Sequence, residues 1–428
     1  MAAVRFGDFL DDYKDCFSHT FDKSFNSITS YITGLLSETR RKNIERVAEC
    51  QPQSNYQSIQ YCISEADWDY RILIDRIAKN ANALFSSSED TALLIDESAF
   101  AKKGDHSVGV QRQWNGRLGK TDNCQVAVFA ALSSKASVCP IDMRLFLPKS
   151  WTSNPERCEK AGIPEEERIR RSKIDLAWEM ISDAKEKGID FKWVGMDSFY
   201  GRSRSLLAKI EDAGMEFVAD VPENTMVILP GSNEKISVKK LAEKRRYTRH
   251  RLRPQTKGYL TVDAMSVTIE MPMKGKEDTT RKWRLIVTKD LATNEIKYSL
   301  TNSKKPVKRL AYMQRQRFWV ERAFQDGKTS CGMAQYQVRG WKAWHHHMAL
   351  VMLAMLFLLT ERILQNPQLP LLSCQDIVSV LDAALVQKQF NVDNRIEATR
   401  LRHQQRFRDI QRRQRCRGPG TKYPILTK

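Results

Sequence analysis

The sequence predicts an α/β protein built on a sheet of mixed strand direction, and three observations carry that reading. Residues 90 to 221 alternate short apolar runs with amphipathic segments in the order β, β, β, α, β, α, β. Residues 1 to about 89 show only helix periodicity, and helix periodicity returns after about residue 308. Between them, residues 222–308 change texture to short strand-like runs separated by charged turns.

The elements follow in chain order. "NSITSYITGLLSETRRKNIERVAE" places apolar residues at helix spacing, and "SEADWDYRILIDRIAKNANALF" opens with a Ser-x-x-Asp box that predicts a helix start at Ser64. "TALLID" (91–96) is a short apolar run ending on Asp96, the pattern of a buried strand. "CQVAVFAALSS" and "VCPIDMRLFLPKS" read as two further strands. "RSKIDLAWEMISDAKEKG" is an amphipathic helix closed by Gly188, "FKWVGMD" a strand ending on Asp197, "SRSLLAKIEDAG" a helix stopped by Gly214, and "EFVAD" a fifth strand. In the changed region, "GYLTVDAMSVTIEMP", "RKWRLIVTK" and "EIKYSLTNS" are strands of an inserted β-rich lobe. Helix resumes at "VKRLAYMQRQRFWVERAFQDGK" and "MALVMLAMLFLLTERIL".

Bulk properties narrow the class. At 428 residues the chain is long enough for two or three domains. Seventy Lys and Arg against 51 Asp and Glu give a net charge of +19, which favours a polyanionic partner and nucleic acid first. Residues 239–257 hold nine of these cations against one Glu, including Arg246 and Arg249, and residues 395–428 hold 11 against two acids. Nine cysteines without a C-x-x-C pair read as reduced thiols of an intracellular protein. The first 15 residues lack the apolar run of a secretory signal. The run from 348 to 360 is 13 residues, short of the ~20 that span a bilayer, and predicts a buried helix and no membrane partner.

Three acids form a constellation. Asp96 and Asp197 each end a strand of one α/β unit, where ligands gather, and Glu321 lies on a later helix. Arg317, Glu321, Phe324 and Lys328 fall on one helical stripe at the border of an apolar face. Hard divalent cations prefer carboxylate oxygens, and two such ions serve phosphodiester chemistry. Asp96 would bridge the ions, with Asp197 and Glu321 holding one each. The residues alone leave plainer readings open: Asp at a strand end also forms turns, and Arg317 with Glu321 is also an ordinary i, i+4 ion pair.

The stretches "LLIDESAFAKKGDHSVGVQRQWNGRLGKTDNCQVAV", "WVGMDSFYG" and "RFWVERAFQDGKTSCGMAQYQVRGWKAWHHHMAL" resemble the core of bacterial insertion-sequence transposases of the DDE superfamily, IS-four-like and nearest the IS-seven-oh-one group. The resemblance covers residues 90 to 360 in pieces. It implies an RNase H-like catalytic core interrupted by a β-rich insertion, with a helical N-terminal domain and a basic C-terminal tail. It puts the DNA-binding helical domain at 1–89, the core at 90–221 and 309–366, the insertion at 222–308 and a helical, basic region at 367–428. It implies Asp96, Asp197 and Glu321 as the catalytic acids, and two Mg²⁺ ions, replaceable by Mn²⁺, as cofactor. The 124 positions between Asp197 and Glu321 are then accounted for by the insertion.

The group's signature of Tyr, two residues, Arg, three residues, Glu, six residues, Lys is matched at Arg317, Glu321 and Lys328, with Gln314 at the tyrosine position and Tyr312 two residues earlier. Arg317 and Lys328 are thereby implied to face DNA phosphates. The implied activity is cut-and-paste transposition of an insertion sequence, acting on its terminal inverted repeats and on target DNA as a homodimer. A cytoplasmic, nucleoid-associated enzyme is expected. A transposase-derived regulator and a nuclease that cuts without joining are the competing readings.

Further DNA contacts are expected from Lys103, Arg112 and Lys120, with His106 beside them, in a Gly-rich basic loop that follows Asp96, a stretch that also reads as a solvated hairpin. Related transposases stack an aromatic of the insertion on a flipped base, which nominates Trp283, although its alternation with Leu285 and Val287 is also what a core residue shows. Glu97 falls on the opposite strand face from Asp96. His345, His346 and His347 diverge by about 100° each on a helix and cannot share one ion.

Overall fold

The computed structural model describes residues 2–17, 22–50, 55–85, 88–116, 118–254, 258–273 and 276–386, with scattered positions up to 411. Most of the basic run from 395 onward therefore lies outside the described residues.

The first part of the chain is helical: α1 (Ala2–Asp11), α2 (Asp22–Leu35), α3 (Ile44–Cys50), α4 (Tyr56–Ser64) and α5 (Tyr70–Phe85). In α5, Leu73, Ile74, Ile77, Ala78, Ala81 and Phe85 recur at helix spacing and are buried. The Ser64 start signal is corrected, because Ser64 closes α4. The next helix opens after Asp69, whose Oδ1 accepts from the Arg71 backbone N–H.

The central segment runs β1 (Ala92–Ala101), β2 (Gln111–Asn115), β3 (Lys120–Ser134), β4 (Ser137–Leu145), α6 (Lys149–Thr152), α7 (Pro155–Lys160) and α8 (Lys173–Glu186). It continues with β5 (Trp193–Met196), α9 (Ser198–Gly201), α10 (Arg204–Asp212) and β6 (Phe217–Val221). A reciprocal Ser172–Asp175 capping box starts α8. Gly188 and Gly214 follow α8 and α10 at φ +68° and +75°, the left-handed geometry that ends a helix most easily at glycine.

The inserted residues form β7 (Met226–Ile228), β8 (Lys235–Ser237), α11 (Val238–Glu243), β9 (Thr248–Pro254), β10 (Tyr259–Met273), β11 (Lys276–Asp290) and β12 (Ile296–Thr301). The chain then turns helical through α12 (Val307–Gln316), α13 (Phe318–Ser330), α14 (Trp341–Gln365) and α15 (Cys374–Leu385).

All twelve described strands belong to one sheet, in the order β2-β3-β1-β5-β6-β12-β11-β10-β7-β8, with β4 on β3 and β9 on β10. Pairs β1–β5 and β5–β6 are parallel and the rest antiparallel. Residues 92–95 of β1 and all of β5 are buried, as parallel strands covered on both faces require. The insertion extends this same sheet, because β12 pairs with β6 through Tyr298–Val221 to Thr301–Val218.

Helix α14 is long and apolar enough to cross a membrane by length and composition, but most of it is buried in the protein, as the central helix of a soluble protein is. Its three histidines point apart: His345 Nδ1 donates to the Trp341 carbonyl, His346 lies flat on Trp68, and His347 Nδ1 meets the Tyr31 hydroxyl at 2.8 Å.

Candidate active site

Register brings carboxylates together. Ile95 lies beside Met196, and Met196 beside Ala219, on three adjacent parallel strands. One residue further along each strand stand Asp96, Asp197 and Asp220, level with one another and, by the period of two, on one face. Strand β1 does not stop at Asp96, as the apolar run suggested; it continues to Ala101, and only its pairing with β5 ends there. Asp197 caps α9, its Oδ1 accepting from the backbone N–H groups of Phe199 (3.0 Å) and Tyr200 (3.3 Å). Gly201 closes that turn so tightly that a Cβ there would lie 1.9 Å from the Asp220 carbonyl oxygen. Only glycine lets α9 seat on β6 and hold Asp197 beside Asp220.

Arg317 crosses this row. It is the hinge between α12 and α13, so the single helix expected here is broken at that residue. Its Nη1 donates to Asp96 Oδ2 (3.3 Å) and its Nε to Asp220 Oδ2 (3.2 Å), and its Nη2 forms an ion pair with Glu321 Oε1 (2.9 Å). Asp96, Asp220 and Arg317 have side chains only 12%, 14% and 17% exposed, whereas Glu321 is 53% exposed. Burial pushes the Asp96 carboxyl up to about 7, with Arg317 opposing and Asp197 and Glu321 adding to the rise. Burial also raises Asp197, against Arg317 and its two backbone donors. Burial disfavours the Arg317 charge, but Asp220, Asp96, Glu321 and Asp197 outweigh it. One guanidinium among four carboxylates leaves the site short of positive charge.

A model of the DDE superfamily endonuclease family matches residues 12–288. The chain belongs to that family. It is also 25% identical over 227 residues to a protein named probable transposase for insertion sequence element IS701, from Microchaete diplosiphon. That match covers 52% of this chain and 56% of the relative, so the chain spans about half the length of the curated relative it matches.

DDE endonucleases work with divalent metal ions, and the donor set here fits one: carboxylate oxygens are hard ligands, and burial holds two of these acids high. Among the described residues, no three His, Cys, Asp or Glu side chains stand in a ready-made ligand cluster. Arg317 instead bridges Asp96 and Glu321.

The other nominated residues of this DDE endonuclease scatter. Lys328 lies on α13 two turns beyond Glu321, its Nζ 5.6 Å from the Phe100 ring centre. Lys103 is exposed and, with Lys102, His106 and Arg339, lines a cleft of about 880 Å³ shared with α2 and α4. Arg112 and Lys120 are exposed on the β2–β3 hairpin, the plainer of the two readings of this stretch. Arg112 pairs with Asn123 and Asp96 with Phe129, six positions apart along β3, so Arg112 stands about 20 Å ahead of the acids. Arg246 is exposed before β9, and Arg249 pairs with Asp263 at 2.9 Å. Trp283 is corrected: it is 1% exposed, packs edge-on against Phe217 and donates Nε1–H to Glu211, so no base can reach it. Glu97 binds Lys173.

Asp220 went unweighed in the sequence, although "FVAD" repeats the apolar-run-then-Asp pattern of "LLID" and "VGMD". Gln314, where the related signature has tyrosine, is buried and bonded to Ser299 and Thr288. The Tyr200 hydroxyl is buried without a partner in the field of Glu97, Asp96 and Asp197.

Proposed function

We propose that this DDE endonuclease is the transposase of an insertion sequence, cutting DNA at the terminal inverted repeats and joining the freed 3′ ends to target DNA. The observation that carries the reading is the meeting of Asp96, Glu321 and Asp220 on one largely enclosed guanidinium, with Asp197 level beside them. In this reading residues 90–221 and 309–366 are an RNase H-like core, and 222–308 its insertion.

Asp96, Asp197 and Glu321 would hold Mg²⁺, with Mn²⁺ substituting. Bound there, the metal supplies Lewis-acid stabilisation of the phosphoryl oxygens and activation of the attacking hydroxyl. The half-exposed Glu321 carboxylate is free to turn toward a cation, whereas Asp197 is preset by its two backbone donors. Arg317 and Lys328 would receive phosphate oxygens through charge-assisted hydrogen bonds. Exposed Lys103, Arg112, Lys120, Arg246 and Arg249 would grip the duplex further out, where binding falls with salt. Two protomers would serve the two ends.

The test is incubation of the protein with labelled end DNA in Mg²⁺. Nicked ends and joined product are expected from the wild type. Asp96→Asn should lose cleavage by about a thousandfold, the rate equivalent of several kcal/mol of charge stabilisation. Unchanged cleavage in that variant would overturn the reading, and cleavage without joining of pre-nicked ends would reduce it to a nuclease.

A further inference from the structure

Beside the three acids runs a hydrogen-bonded chain that the reaction above does not use. Arg315 Nε donates to Thr288 Oγ1 (3.1 Å), and Thr288 Oγ1 donates to Gln314 Oε1 (2.5 Å). Gln314 Nε2 donates to Ser299 Oγ (2.6 Å), and Ser299 Oγ donates to Asp220 Oδ1 (2.5 Å). Asp220 Oδ2 accepts from Arg317 Nε. Thr288, Gln314 and Ser299 are 0%, 2% and 0% exposed, and each accepts from the Arg315 side and donates toward Asp220. Bonds aligned this way strengthen one another, and a break would strand buried polar groups. Thr288 lies on β11 and Ser299 on β12, so the chain ties the inserted strands to the acid row.

Arg317 has three carboxylate partners, and two of them, Asp96 and Glu321, are the ones a metal would claim. Asp220 differs. Ser299 occupies its other oxygen, and the Gly201 turn pins its backbone. It holds Nε, so the Nη1 and Nη2 edge of the planar guanidinium is what Asp96 and Glu321 would vacate. That edge is the fork that pairs with two phosphate oxygens.

We propose that Asp220 is the positioning residue for Arg317, set by the Thr288–Gln314–Ser299 chain, and that it keeps the guanidinium aimed at the scissile phosphate when Asp96 and Glu321 turn to metal. This rests on the DNA-cleaving reading, and the experiment separates the two.

Protein labelled with ¹⁵N-arginine is observed by NMR, first metal-free and then in saturating Ca²⁺, without DNA. The Arg317 Nε–H signal, assigned by its loss in Arg317→Lys, should persist in both states. In Asp220→Asn and in the milder Ser299→Ala, its exchange with water in Ca²⁺ should rise by about tenfold or more, as expected for loss of a charge-assisted bond. Loss of the signal in wild type on adding Ca²⁺, or unchanged exchange in both variants, overturns the proposal. Ca²⁺ affinity by calorimetry should stay within about twofold in Asp220→Asn, since both Asp220 oxygens are already engaged; a tenfold fall would make Asp220 a ligand instead.

End DNA with a neutral methylphosphonate at the scissile position is then compared with normal DNA in Ca²⁺. Wild type should prefer the charged phosphate by about tenfold, and both variants by no more than about twofold. An equal preference in variants and wild type also overturns the proposal. If wild type binds no end DNA, the transposase reading falls, while the NMR result still decides the role of Asp220.

Discussion

The ends of β1, β5 and β6 and the inserted strands β9 to β11 share one hydrogen-bonded sheet and treat charge in opposite ways. Where β1, β5 and β6 run level, Asp96 and Asp220, with side chains 12% and 14% exposed, share a single arginine. On the inserted strands cations face water, and Arg249 keeps a side chain 67% exposed even while paired with Asp263. A desolvated charge acts strongly over a few ångströms, whereas a solvated one contributes a field screened within about 8–10 Å. The first arrangement suits chemistry at one phosphate and the second a grip on many. Trp283 and the Ser299–Asp220 bond are where the two meet.

The largest effect should come from cutting that junction. Trp283→Ala should destabilise the protein by about 3–5 kcal/mol in denaturant unfolding, as loss of a buried tryptophan does. Trp114, 57% exposed on its hairpin, should cost under about 0.5 kcal/mol when replaced by alanine. Equal effects would erase the distinction between core and surface drawn here.

On the acidic side, Gly201→Ala should cost about 3 kcal/mol, because backbone and not a flexible side chain stands in the way of the new methyl. An unchanged melting temperature would mean that α9 does not press on β6.

Next in size is a pH dependence in metal-free protein. Asp96 has a folded pKa of about 7, above its unfolded value near 4, so the folded state holds the proton more tightly. Its contribution to stability is therefore full in acid and lost as pH rises from about 4 to about 7. Melting temperatures in chelator should fall across that window more steeply for wild type than for Asp96→Asn, and parallel curves would refute the assignment.

The smallest effects belong to the insertion's surface. Arg246→Ala should weaken DNA binding severalfold and lower the salt slope by about 1, with Arg249→Ala doing less because Asp263 already holds that cation. A slope unmoved by either change would take the insertion out of the DNA path.

The acid row was legible where local pattern suffices. Asp96 and Asp197 follow apolar runs, and Glu321 shares a helical stripe with its cations. Asp220 carries the same local signature, but only the parallel register of β5 and β6 gives it a neighbour, and register is a long-range property. Trp283 shows the converse: its alternation with Leu285 and Val287 points inward, and its edge-on contact with Phe217 of β6 agrees with that core pattern against the stacking role the resemblance implies. The hairpin of β2 and β3 is one of two open readings, because Gly116, Gly119 and the cations around them suit a phosphate-contacting loop as well as a strand pair, and only pairing with β3 decides it. The departure of Gln314 from the signature is in plain view, but not that its amide would find Ser299 and Thr288 on strands of the inserted stretch itself.

Helix α14 touches α1, α2, α4 and α5 from the start of the chain as well as β4, α13 and α15. During synthesis the faces of those first helices that α14 covers stay bare until residue 365 has been made. A message broken before codon 341 would yield these helices without the long apolar one that covers four of them, fit for a protease rather than for a shortened protein that competes for DNA.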